Sequence, residues 1–113
     1  MKYITIILTV LSGLFSTIVI AQDSLKARQY HEEAAAFLAD NNRKMAIISL
    51  EKAIEADTMF NQGYVELARL YSLEKEYGVA KKMCYKALMM KKNQRDPHLY
   101  IASIYGMEES LDS

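Results

Sequence analysis

Residues 64–71 read Tyr-Val-Glu-Leu-Ala-Arg-Leu-Tyr. Within them Tyr64, Leu67, Ala68 and Tyr71 stand at i, i+3, i+4 and i+7, the spacing of one stripe along an α-helix. A second stripe of the same kind follows at Ala80, Cys84, Ala87 and Leu88. The segment therefore predicts a helix, a short turn and a second helix, each with one apolar face turned toward the other.

Shifting the chain by 34 residues superimposes this pattern on its flanks. Tyr30 falls on Tyr64 and His98, Ala34 on Ala68 and Ala102, and Phe37 on Tyr71 and Tyr105. Ala46 falls on Ala80, Leu50 on Cys84, Ala53 on Ala87 and Ile54 on Leu88. Leu67 falls on Ile101, while Glu33 takes that place in the first unit. The alanines are placed where two helix axes must approach closely, and the aromatics fill the wider gap beside them. His98 is expected to pack as Tyr30 and Tyr64 do. Asp23 or Ser24 is expected to cap the first helix. Asn41-Asn42 supplies the left-handed residue wanted between the paired helices. Residues 57–61 and 93–97 separate successive units, and Asp96-Pro97 combines a capping carboxylate with proline at the first helical position.

This pattern resembles the tetratricopeptide repeat, a family read from a bulky residue, an aliphatic-small pair, an aromatic, then Ala, a bulky residue and Ala. Unit two supplies Tyr64, Leu67-Ala68, Tyr71, Ala80, Cys84 and Ala87. Unit one supplies Tyr30, Glu33-Ala34, Phe37, Ala46, Leu50 and Ala53. Unit three supplies His98, Ile101-Ala102 and Tyr105. Thr58 and Lys92 stand where the family often has proline. The resemblance implies an all-α fold, a short right-handed α-solenoid of about two and a half repeats over residues 27–60, 61–94 and 95–113. It also implies a concave groove lined by the first helix of each unit. Carried over by position, the groove residues are Arg28, His31, Ala35 and Leu38, then Gln62, Val65, Arg69 and Ser72, then Asp96, Leu99 and Ser103. The clamp some members use for C-terminal carboxylates is absent, since His31, Ala35 and Glu66 occupy its defining places.

Ahead of the repeats, residues 3–21 carry no charge after Lys2. The stretch reads as a secretory signal over residues 1–21, cut before Gln22, leaving a domain over 22–113. It resembles the leaders of bacterial exported proteins and predicts a periplasmic or secreted chain. An uncleaved membrane anchor is the alternative, because 19 apolar residues approach the roughly 20 a spanning helix needs.

The 113 residues are 51% hydrophobic and 25% charged, with 14 basic residues balancing 14 acidic ones. That is the profile of one folded domain with no net field to draw it onto nucleic acid. One cysteine excludes an internal disulfide framework. Cys84 lies on a core stripe, so it reads as buried and inert. Glu32 and Glu33 are adjacent on a helix and point about 100° apart, which does not make a catalytic dyad. The sequence has no phosphate loop, nucleophile elbow or metal-ligand cluster. It therefore predicts no enzyme, no cofactor and no metal. Lys81, Lys82, Lys86, Lys91, Lys92 and Arg95 form an acid-free run that reads as the solvated face of a helix. Leu99, Tyr100, Ile101, Ile104, Tyr105 and Met107 make the last helix apolar nearly all round; Leu99 and Ile104 read as ordinary partly exposed residues of a small domain, with self-association or partner docking there as the alternative. The expected function is an exported adaptor that binds another protein or peptide non-covalently; the alternative is a membrane-tethered structural subunit.

Overall fold

Two turns of the same build organise the chain. After the first helix, Asn41 takes φ 59°. The Asn42 N–H then donates to the Phe37 carbonyl at 2.8 Å and the Asn41 N–H to Leu38 at 3.1 Å. One 34-residue period later Lys75 takes φ 63°. Glu76 donates to Tyr71 at 2.9 Å and Lys75 to Ser72 at 3.1 Å. Each is a Schellman closure, in which one left-handed residue satisfies the last carbonyls and reverses the chain. Asn42 also caps the next helix, its side chain accepting from the Met45 N–H at 3.2 Å.

The computed structural model describes residues 2–91 and 95–112, with backbone alone at 2, 15–20, 111 and 112. The side chains of Phe15, Ile18, Val19 and Ile20, the place of Lys92 and the break read at Asn93 lie outside the described residues. Among those described there are five helices and no strand: α1 (Lys2–Ala39), α2 (Arg43–Ala56), α3 (Asn61–Leu73), α4 (Tyr77–Met90) and α5 (Arg95–Asp112). α2 packs on α1, α4 on α3, and α5 on both α3 and α4, while α3 leans on α2. This is an all-α solenoid of helix-turn-helix pairs.

The core lies in two connected layers. In the first, Ala34, Ala46, Leu50, Leu67 and Leu70 are buried, with Phe37, Leu38, Ile54 and Tyr71 packed around them. In the second, Ala68, Ala80, Cys84 and Ile104 are buried beneath Tyr71, Tyr77, Tyr100 and Ile101. Tyr71 and Met83 touch both layers. Ala34, Ala46, Ala68 and Ala80 are at most 1% exposed, as close axis approach requires. Full burial of Leu50, Leu67 and Leu70 contributes about 1.5–3 kcal/mol each. The joints carry polar ties as well. Asn61 Nδ2 donates to the Ala87 carbonyl at 2.9 Å, and the Tyr64 hydroxyl donates to the Thr58 carbonyl at 3.0 Å.

Several expectations are corrected. No helix begins at Asp23 or Ser24, because α1 runs unbroken for 38 residues, about 57 Å at 1.5 Å per residue. Nothing between Gly13 and Ala39 interrupts it, and Ser24 instead offers its hydroxyl to Asp57 at 3.5 Å. Ala102 and His98 are exposed, unlike Ala68 and Tyr64. α5 starts at Arg95, which puts Asp96 and the buried Pro97 inside its first turn, where proline is still tolerated. Every described side chain from Tyr3 to Leu14 is exposed. Among the described residues, no helix is long and apolar enough to cross a membrane.

Candidate functional site: a groove between the first helices

The second half of α1 and one side of α3 face a common cleft that reaches down to α2. The resulting cleft, of about 160 Å³, is lined by His31, Ala34, Ala35 and Leu38 from α1, Leu50 from α2, and Gln62 and Glu66 from α3. A second cleft of about 220 Å³ adjoins it through Leu38. Its other walls are Asn41, Arg43, Arg69, Leu70 and Leu73. Together they form a groove with an apolar floor of Ala34, Leu50 and Leu70 and polar walls.

Local packing fixes the walls. The His31 ring meets Phe60 edge-on, with centroids 5.7 Å apart. Arg69 lies one turn beyond Glu66 and binds the same carboxylate oxygen through Nη2 at 2.9 Å and Nε at 3.3 Å. Both side chains keep about a third of their surface in water, so the pair orients the wall and adds little stability. Arg43 meets Glu74 at 2.8 Å, joining the two turns at the end of the groove. Burial, followed by the negative charges of Asp96 and Glu66, pushes the Tyr100 hydroxyl above its ordinary pKa. That effect places α5 electrically beside the Glu66–Arg69 pair.

Of the residues expected in the groove, His31, Ala35, Leu38, Gln62 and Arg69 are brought together. Val65 and Ser72 are half-buried and line neither cleft, while Arg28, Asp96, Leu99 and Ser103 are exposed outside both. Glu66 and Arg43 were missed. Glu66 was legible as an i,i+3 partner of Arg69. Arg43 was not, because its role depends on the meeting of two turns.

Cys84 packs against Ala68, Ala80 and Ile104, and burial raises its thiol to about 11. A thiol held that high supplies little thiolate at neutral pH. Among the described residues, no three His, Cys, Asp or Glu side chains gather closely enough to hold a metal ion. The groove can do what a preformed surface does: exclude water over an apolar strip while fixed polar groups set register.

Comparison with known proteins bears on the fold. No protein-family model matches the chain, and no curated protein does. Among solved structures, the crystal structure of MamA protein aligns at a TM-score of 0.71 and 21% identity. The match covers 80% of this chain and 49% of MamA, so the chain spans about half the length of that structure. At that identity the likeness establishes the fold alone, a TPR-like helical repeat.

Proposed function

We propose that the protein is a non-enzymatic adaptor, exported across the inner membrane of a bacterium, that holds a short amphipathic segment of another protein between α1 and α3. The observation that carries this reading is the pair of adjoining clefts sharing Leu38, apolar beneath and charged along Glu66 and Arg69. An apolar side chain of the bound segment enters over Ala34, Ala35 and Leu50, and its polar side meets Gln62, Glu66 and Arg69. The rigid floor limits the ordering cost of binding. Arg28, Val65, Ser72, Leu99 and Ser103 extend the contact beyond the clefts for a longer segment. The exposed side of α5 adds a route to self-association.

A second reading is favoured by the bare start of α1. Tyr3, Ile4, Ile6, Ile7, Leu8, Val10, Leu11 and Leu14 are all more than half exposed. The Thr9 and Ser12 hydroxyls bond back to the helix's own carbonyls at 2.7 and 2.9 Å, which lowers their cost in an apolar medium. In that reading the leader stays attached and tethers the repeats to a membrane. Mass spectrometry of the mature chain separates the two: a start at Gln22 supports the released adaptor, and an intact Met1 supports the tether.

The groove itself is tested by capture from a bacterial envelope extract, with wild type beside Leu38→Glu and Arg69→Glu. A protein retained by wild type and lost from both variants, whose helical circular dichroism is unchanged, supports the reading. Identical proteins retained by all three contradict it.

A further inference from the structure

The 34-residue period places a filled counterpart beside the open cleft between α1 and α3. Three walls of that cleft are Ala34 of α1, Leu50 of α2 and Glu66 of α3. One period later their places are taken by Ala68 of α3, Cys84 of α4 and Tyr100 of α5. Tyr100 is half-buried and packs against the core layer of Ala68, Cys84, Ala80 and Ile104. Its ring therefore covers the counterpart of the floor that Ala34 and Leu50 form in the first unit. At this second joint α5 packs directly on α3. At the first joint Glu66 stands where Tyr100 would, its carboxylate is held along α3 by Arg69 at 2.9 Å, and the floor stays open.

The opening has the dimensions and the rim of a ring site. An apolar cavity of about 150 Å³ admits one benzene ring, and this cleft has a volume of about 160 Å³. Aromatic rings are negative on the face and positive at the edge. Glu66 at the rim offers a negative group to a ring edge, and the His31 ring offers an edge-to-face neighbour. Both flanks of the cleft, α1 and α3, are described helices, so its opening belongs to the groove itself.

We infer that the groove selects a segment of another protein that carries an aromatic side chain, tyrosine or phenylalanine, and seats its ring on Ala34 and Leu50 as Tyr100 seats its own on Ala68 and Cys84. This rests on the groove reading above and adds the identity of the anchor. Glu66 is the residue that decides it, because a ring at that position would fill the cleft from within. An aliphatic anchor would leave part of the cleft without contacting atoms.

Two measurements test the anchor. Glu66→Tyr is expected to close the cleft from α3, with a urea midpoint above that of Glu66→Ala at an unchanged slope, although alanine is the better helix former. Methyl NMR of the full chain in mild detergent is then titrated with N-acetyltyrosinamide or N-acetylleucinamide. The tyrosine derivative is expected to shift the methyl signals of Ala34, Ala35, Leu38 and Leu50 with an affinity about threefold to tenfold above that of the leucine derivative. Glu66→Tyr is expected to abolish those shifts. Equal affinities, no shift from either compound, or a Glu66→Tyr midpoint at or below that of Glu66→Ala overturns the aromatic anchor. The groove reading is judged apart from it, by capture: a protein lost from Leu38→Glu and Arg69→Glu but bound through an aliphatic side chain keeps the groove and removes the anchor.

Discussion

Asn41 and Lys75 stand one 34-residue period apart and adopt the same left-handed backbone, φ 59° and 63°. Each closes a first helix with the same pair of backbone hydrogen bonds. The repeat is therefore written into the backbone as well as into the apolar spacing. Asparagine tolerates that conformation and lysine does not gain from it. Lys75→Gly is expected to stabilise the fold by about 1 kcal/mol, read as a higher urea midpoint with an unchanged slope. Lys75→Val is expected to lower the midpoint by a similar amount.

At Gly63, α3 passes close to the end of α2. A Cβ there would lie 2.7 Å from Ile54 Cγ2 and 3.0 Å from the Phe60 ring. The helix propensity gained by alanine is outweighed, because a branched side chain and a ring must both move. Gly63→Ala is expected to cost about 1–3 kcal/mol in chemical denaturation.

Tyr71 and Tyr105 occupy the same place in successive units with different cover. Tyr71 reaches both core layers and donates to Glu51, whereas Tyr105 stands at the open end. Tyr71→Ala is expected to cost about 3–5 kcal/mol, as for a large aromatic lost from a core. Tyr105→Ala, measured at a dilution where the chain is single, is expected to cost under about 1 kcal/mol. Equal losses would mean that Tyr71 does not join the units.

The Cys84 thiol is fully buried and raised to about 11, with desolvation as the main cause. In the unfolded chain it titrates near its ordinary value of about 8.5. The folded state thus holds its proton more tightly, and the stability linked to this group is complete below pH 8.5. It falls as pH rises toward 11 and then levels. Thiol labelling of the native chain at pH 8 is expected to be slow and to become fast only in denaturant. Labelling at the same rate in both conditions would contradict the burial.

Much of this architecture was readable in advance because it rests on spacing. The alanines at 34, 46, 68, 80 and 87 and the turn at Asn41 follow from period and residue type alone. Ala102 shows the limit of such reading. It carries the same residue in the same register, yet it is exposed, because α5 packs on α3 and α4 through Ile104 and no described helix lies on its Ala102 side. Asp23 and Ser24 mark another limit: a capping residue ends a helix only where the preceding chain leaves the helical path, and α1 does not. Of the expected groove residues, register alone brings His31, Ala35, Leu38, Gln62 and Arg69 to the two clefts, whereas Arg28, Val65 and Ser72 line neither.

The most direct test of the central claim uses a photoreactive amino acid placed in the full-length protein within cells. Substituted at Leu38 or Gln62, it is expected to yield a discrete adduct with another protein. Substituted at Met59, which is 68% exposed and lines neither cleft, it is expected to yield none. Adducts at Met59 of equal strength, or none at Leu38 and Gln62, would contradict the groove as the binding surface.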